Sequence, residues 1–551
     1  MTQRAMFAIL VTISFGCGAE DAASEGAPPK ADGGATGTRC FGANDCPPGS
    51  FCNEFGYCTA LGTDAGSSDG GDSGLPPEVE QQRDPPASGK VYVYVAVPSQ
   101  DMVAKIHSQT LQVRSIKVGK DPGVLRTIPG QDVAVVLSRQ SNTISILRSR
   151  ADGDDDILTL NVAPGLNQLA LAPGGKWAIA YFDVTRSGGT ISAKQTFQEV
   201  TVAHLEAGKE SAVDLTVGFR PSMIQFSADG EQAYVVTEQG VSVIELAKVT
   251  KPAIVPTVPL LLDPLAEGKL EEVLVTGDGA FALGRRAGLN GVRVVDLTTS
   301  SIQDIDLGGD ATDLDLTEDG KLAVVVLRDT QQVALIDIPG DLTDPSQIDT
   351  LATGSFTAGQ AVLTKDGKRA FLFTNASSQE VLLVADLTSR QISAHPLKKG
   401  VRTVYSSPDG KTALILHNKV PGTPGPTDDF ETYLDKSYGY SLLKVDTSFD
   451  KLLLTGTDPG EVAFDPASAS AYMLLGDSAA GIRSAEAIDL EGFLVESVAL
   501  GSPPVALGVI PATKAVYVAQ SHPLGRVTFI DMGDHQTRTV TGFELNSHII
   551  E

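Results

Sequence analysis

After residue 91 the same short phrase keeps returning: an alternating apolar run whose fifth residue is an acid. It reads VSVIEL at Glu245, VRVVDL at Asp296, VALIDI at Asp337, LLVADL at Asp386, LLKVDT at Asp446, AEAIDL at Asp489 and VTFIDM at Asp531. His107, Arg148 and His204 hold the same slot in three earlier units. Neighbouring slots lie 41 to 60 residues apart, with a mean near 47. Most of the middle units also carry an Asp-Gly pair ahead of a second apolar run, at Asp229-Gly230, Asp278-Gly279, Asp319-Gly320, Asp366-Gly367 and Asp409-Gly410. A glycine-proline signal marks several units at Pro122, Pro221, Pro459 and Pro504.

A period in the forties with four short strands per unit is the signature of propeller blades. A four-stranded sheet cannot bury both faces alone, and packing blades face to face around an axis does so. The expected fold is therefore all-β, a β-propeller of about ten four-stranded blades over residues 89–551. Ten lies above the usual range of about 4–8. One closed ring is the expected closure, with two interlocked rings of five as the alternative. The first unit opens on what should be its second strand, VYVYVA from Val91, so its innermost strand is missing at that end. TGFELNSHII near the C-terminus parallels VGFRPSMIQF, which leads into a first strand, so Ser547–Glu551 is expected to pair with Val91–Ala96 and shut the ring. Asp-Gly suits the hairpins because glycine tolerates positive φ. The repeated acids read as turn chemistry, each tying down the turn after the third strand through a side-chain oxygen.

Ahead of the repeats the chain falls into four pieces: 1–16, 17–38, 39–58 and 59–88. The first has a positive charge at Arg4 and a short apolar run to Gly16, too short to span a bilayer and suited to an export signal. Residues 17–38 and 59–88 are rich in Gly, Ala, Asp and Ser and read as linkers. TDAGSSDGGDSG in the second lacks the alternating ligand positions of a calcium loop. Between them, Cys40, Cys46, Cys52 and Cys58 are spaced C-x5-C-x5-C-x5-C. So small a module cannot bury a useful core, and two disulfides are expected, in any of three connectivities. A zinc site is the rival reading, but tight C-x2-C knuckles are absent. Cys17 is the fifth and odd cysteine.

Ser14-Phe15-Gly16-Cys17 resembles the lipobox of bacterial lipoproteins, with Ser14 and Phe15 departing from its preferred residues. The resemblance implies acylation of Cys17. Gly18 in place of Asp then implies the outer membrane, with the chain facing the periplasm or the cell surface. CFGANDCPPGSFCNEFGYC resembles small EGF-like modules. VYVYVAVPSQDMVAKIH, SPDGKTALIL and KAVYVAQSHPLGRVTFIDM resemble the YVTN family of bacterial surface β-propellers, a resemblance that covers residues 91–551 and implies fold far more than activity.

The net charge of −26, from 68 acidic against 42 basic residues, argues against nucleic acid and against adsorption to an anionic membrane surface. Membrane association is expected only through the lipid anchor, and the protein is expected to be a monomer. The seven histidines show no metal-ligand spacing, and no nucleophile elbow, Walker or dinucleotide motif stands in its required context. No catalytic residue, cofactor or metal is assigned. ADGDDD from Ala151 to Asp156 could hold a cation but reads as a solvated turn. Two units are long, each between its second and third strands, at about Thr185–Glu199 and about Asn418–Tyr440. The second insertion carries Phe430, Tyr433, Tyr438 and Tyr440, the candidate partner-binding residues. The expected function is non-enzymatic binding or scaffolding of a protein or envelope glycan. A propeller enzyme of lactonase-like or quinoprotein-like type is the alternative.

Overall fold

The computed structural model describes residues 50–52, 58–60, 88–150, 155–186, 197–265, 267–543 and 549–550. The chain divides into two compact units, Met1–Asp69 and Gly70–Glu551. In the first, Ser50–Cys52 pairs antiparallel with Cys58–Ala60, and the backbone register sets Cys52 opposite Cys58. Cys17, Cys40 and Cys46 lie outside the described residues, as do residues 17–38 and 61–87 of the two linkers.

The second unit contains ten blade sheets, antiparallel throughout except where Ala253–Ile254 adds in parallel to the outer strand Ser211–Thr216. Blade 1 covers Tyr92–Lys117, and the others run 122–161, 168–216, 221–259, 272–306, 313–352, 360–396, 401–455, 459–499 and 504–541. Strands are lettered a to d from the channel outward. Ten apolar clusters accompany the ten sheets, and each joins one pair of neighbours. Blades 1 and 2 meet through Tyr94, Val103, Ala134 and Val136. The series continues pair by pair to blades 9 and 10, which meet through Tyr472, Ala487, Val516 and Ile530. The tenth cluster joins blade 10 to blade 1, through Tyr517, Phe529 and Phe543 against Val93, Ala104 and Ile106. Every blade thus has two neighbours, and the ring is single and closed. Two rings of five would need a seam between blades 5 and 6 that is instead packed solid by Val294, Leu314 and Val325.

Burial explains the pattern of the repeat. Strands b and c lie between neighbouring blades, so both faces are covered and the sequence runs apolar without a break, as in VAVVLS of Val133–Ser138. Strand d is at the rim, and only one side chain in VRSIK of Val113–Lys117 is buried.

Closure corrects one expectation. Ile549–Ile550 does not pair with Val91–Ala96; it pairs antiparallel with Val540–Thr541, outside strand d of blade 10. The inner side of blade 1 is met from its own N-terminal side, where Ser88 bridges Val93. Blade 1 accordingly has three strands. The reason is that the seam is already sealed by side chains. Phe543, buried just after the last blade strand, fills the apolar cluster. The Ser108 and Thr513 hydroxyls bond at 2.8 Å, and Arg538 donates to the Gln109 and Ser108 carbonyls.

The a–b and c–d turns share one face, which the repeats write almost literally. In blades 4 to 8 a Ser or Thr hydroxyl donates to the turn Asp at 2.6–2.7 Å. The same hydroxyl accepts the first amide of strand b at 3.0–3.1 Å. The turn glycines have φ of 65–69°. At the acid slot, Asp296 and Asp386 accept the next two free amides at 2.7–3.0 Å, and Asp489 and Asp531 do likewise at 2.8–3.4 Å. His107 does the same work through Nδ1, accepting from Gln109 and Thr110. Elsewhere the slot became a bridge between blades: Asp337 pairs with Arg390, and Asp446 with Arg369. His204 stacks on Trp177 with ring centres 4.1 Å apart.

Candidate functional site

The opposite face carries the d–a and b–c connections, and it is irregular. Blade 8 interrupts its hairpin between Thr412–His417 and Tyr438–Lys444, where the chain leaves the sheet, forms one short helix, Phe430–Asp435, and returns. The helix starts because Asp429 caps it, accepting the Thr432 amide at 2.8 Å. It ends on a buried ammonium. Lys399, from the connection entering blade 8, donates to the Leu434 and Asp435 carbonyls. A cation there answers the orphan carbonyls of the last turn. Burial lowers the Lys399 pKa. Asp428 pairs with Lys436 at 3.0 Å and accepts the Gly425 amide, bracing the loop before the helix.

This frame separates the four aromatic residues. Phe430 is 71% exposed and Tyr433 42% exposed. Tyr438 is half-buried, with the Lys419 ammonium 5.0 Å from its ring centre. Tyr440 is wholly buried between blades 8 and 9, and its hydroxyl donates to Glu486 at 2.6 Å. Tyr440 is therefore core: it lies in strand c, where both sheet faces are covered. Beneath the insertion His417 is buried; its Nδ1–H donates to the Gly400 carbonyl at 3.2 Å, so Nε2 accepts from Ser441 at 2.7 Å. Burial pulls its pKa down to about 4. Much of the blade 3 insertion, residues 187–196, lies outside the described residues.

A third long connection on this face escaped the sequence reading. Blade 4 ends at Pro259 and blade 5 begins at Glu272. Its trace in the sequence was the 51-residue interval from Glu245 to Asp296. Arg293, 1% exposed on strand c of blade 5 (Gly291–Asp296), holds this loop from below. Its guanidinium donates to Asp304 at 2.7 and 2.8 Å, to Glu267 at 2.5 and 3.2 Å, and to the Leu260 carbonyl at 3.2 Å. The loop walls a cavity of about 310 Å³ above the seam of blades 4 and 5. Met223, Val236, Leu260, Leu261, Leu270 and Val273 give it an apolar lining. Arg220 pairs with Glu238 at 2.7 Å, and Arg285 with Glu272 at 2.7 Å and Glu271 at 2.9 Å.

The polar side chains of the innermost strands have structural duties. Innermost strands expose edge amides that need acceptors. Gln225 of blade 4 both accepts the Val275 amide at 2.7 Å and donates to the Val273 carbonyl at 2.9 Å. Asp313 of blade 6 accepts the Ala361 amide at 2.6 Å, and Glu461 of blade 9 the Leu507 amide at 3.2 Å. Burial, reinforced by Asp315 and Glu272, pushes Asp313 well above the usual carboxylate range. In the acidic run, Asp155 is taken by Lys105 at 2.7 and 2.8 Å, while 151–154 lie outside the described residues. Among the described residues, no three His, Cys, Asp or Glu side chains gather to hold a metal. Among them, too, no helix is long and apolar enough to cross a membrane.

No family model and no curated protein matches the chain. Solved structures of similar shape include hydrazine synthase of Kuenenia stuttgartiensis, at 19% identity and a TM-score of 0.34, covering 57% of this chain and 96% of that one. Another is the dihydro-heme d1 dehydrogenase NirN in complex with DHE, at 13% identity and a TM-score of 0.41, covering 67% and 73%. A third is a eukaryotic initiation factor, at 11% identity and a TM-score of 0.47, covering 74% and 96%.

Proposed function

We propose that this chain is a YVTN-type envelope lipoprotein, anchored through Cys17 in the outer membrane, with a disulfide-stapled EGF-like module ahead of its propeller. The propeller acts as a non-enzymatic binding or scaffold module. Its docking point is the blade 8 helix, and the partner is an envelope protein or glycan. One observation carries the reading: Phe430 and Tyr433 are held out to solvent by a helix braced at both ends. Exposed rings on a rigid support supply contact area with little entropy left to lose, and aromatic anchors dominate interface energetics. Their exposure has no role within the ring, because the blade 8–9 seam is filled by Tyr440 and its neighbours.

The test is retention on the immobilised full-length protein, comparing envelope protein extract with envelope glycans. Wild type should hold a partner that the Phe430→Ala/Tyr433→Ala double variant releases. Equal retention by both proteins would sink the reading. Intact mass of the native N-terminus tests the anchor: an unmodified residue other than Cys17 at that terminus would remove it from the proposal.

A further inference from the structure

The cavity over blades 4 and 5 lies away from the blade 8 helix and serves no purpose in ring packing, since the seam beneath it is closed by Tyr234, Val275, Ala282 and Val295. Three features mark it as built to receive something. Its volume of about 310 Å³ falls at the small end of ligand pockets, which run from about 300 to 1,000 Å³. Its outer wall is fixed in advance, because Arg293 holds the loop at two points, the Leu260 carbonyl and the Glu267 carboxylate. Its lining is apolar where a surface would ordinarily be polar: Met223, 40% exposed, stands beside Val236, Leu260, Leu261, Leu270 and Val273.

The charges around the cavity narrow the class of ligand. Arg220, Lys269 and Arg285 stand against Asp183, Glu238, Glu271 and Glu272. The three glutamates are already engaged by the two arginines. The groups left to meet a ligand are one of each sign. Lys269 is exposed at the mouth. Asp183 is buried, and one of its oxygens takes both the amide and the hydroxyl of Thr185, at 2.8 and 2.6 Å. A purely anionic or purely cationic ligand would leave one of the two opposed. We infer that this cavity binds a small zwitterion with an apolar body, an apolar amino acid or dipeptide, its ammonium toward Asp183 and its carboxylate toward Lys269.

Calorimetric titration of the full-length protein with Leu-Leu tests this, beside N-acetyl-Leu-Leu, which lacks the ammonium, and Leu-Leu-amide, which lacks the carboxylate. Leu-Leu should bind, and each blocked form should bind at least tenfold more weakly. Lys269→Gln, an exposed change that leaves folding alone, should abolish discrimination against the amide only. Asp183→Asn should abolish discrimination against the acetylated form only. No heat with Leu-Leu at millimolar concentration overturns the inference, as does equal binding of all three ligands to wild type. Loss of partner retention by the blade 8 double variant has no bearing on this site, so the two proposals fail separately.

Discussion

The two faces of this ring are made from the same strands and by opposite rules. On the face of the a–b and c–d turns, one local solution is copied from blade to blade. Thr276-Gly277-Asp278-Gly279, Thr317-Glu318-Asp319-Gly320 and Thr364-Lys365-Asp366-Gly367 close their hairpins through the same hydroxyl and carboxylate. Even there the copying is incomplete. Blades 2, 3 and 10 close the same turn with Ile128-Pro129, Ala172-Pro173 and Ile510-Pro511, where a fixed φ replaces the hydrogen-bonded Asp. On the face of the d–a and b–c connections little repeats beyond the prolines that open strand a at Pro122, Pro221, Pro459 and Pro504. There the long connections, the exposed rings and the cavity are found. Turns that only reverse the chain converge on one chemistry, whereas longer surface connections under no such local constraint are free to differ.

The largest effect should come from the irregular face. Unfolded, the His417 imidazole titrates near about pH 6.5; folded, burial holds it down to about 4. Above about pH 6.5 both states are neutral and its contribution to stability is complete. As pH falls toward about 4, only the unfolded chain takes up the proton, so stability should drop by roughly 3 kcal/mol. Denaturant unfolding across that range should show the drop in wild type and lose it in His417→Gln. His107, its counterpart on the regular face, is only half-buried, and His107→Asn should leave most of the pH dependence in place. Equal slopes for wild type and His417→Gln would break the contrast.

A smaller effect separates two glycines of like backbone. Gly279 has φ of 69°, and a Cβ there would lie 1.8 Å from the buried Tyr234 hydroxyl. Gly130, in a proline turn, has φ of 71° but open space around it. Gly279→Ala should cost about 2–3 kcal/mol, from strain plus crowding, and Gly130→Ala about 1 kcal/mol, from strain alone. If thermal melts put the two variants at the same temperature, the close approach of the Gly279 turn to Tyr234 of the neighbouring blade is irrelevant to stability.

Removing a single hydroxyl should matter less. Thr317→Val deletes the donor to Asp319 and the acceptor of the Leu322 amide, for about 1 kcal/mol by denaturant titration. No loss at all would mean that water replaces the hydroxyl at no cost. The smallest stability effect belongs to Phe430→Ala/Tyr433→Ala, within about 0.5 kcal/mol of wild type, because exposed rings bury little. A marked loss there would show that the rings support the insertion and would count against a docking role.

The repeat made most of the fold legible because each strand answers to nearest neighbours. VAVVLS must lie between two sheets, and a Thr-x-Asp-Gly must turn. The acid slot was read correctly as turn chemistry at Asp296, Asp386, Asp489 and Asp531 for the same reason: its partners are the next few amides. Legibility failed where the partner was distant. Tyr440 looked like its aromatic neighbours until strand c placed it under blade 9, 46 residues along the chain from its partner Glu486. Ile549–Ile550 resembled an innermost strand, but Phe543 had already sealed the seam.

By itself the amino-acid sequence determined the all-β class, the number of blades, the hairpin turns and the position of the two longest insertions, because all of these are set by periodicity and by contacts a few residues long. Only the tertiary structure decided that the ten blades form one ring, which pair of aromatic rings reaches solvent, and that Arg293 props open a cavity over blades 4 and 5. Those outcomes depend on groups far apart in the chain, Phe543 against Val93, Lys399 against Leu434, Arg293 against Glu267, whose meeting costs chain entropy and is repaid only once the whole ring has closed.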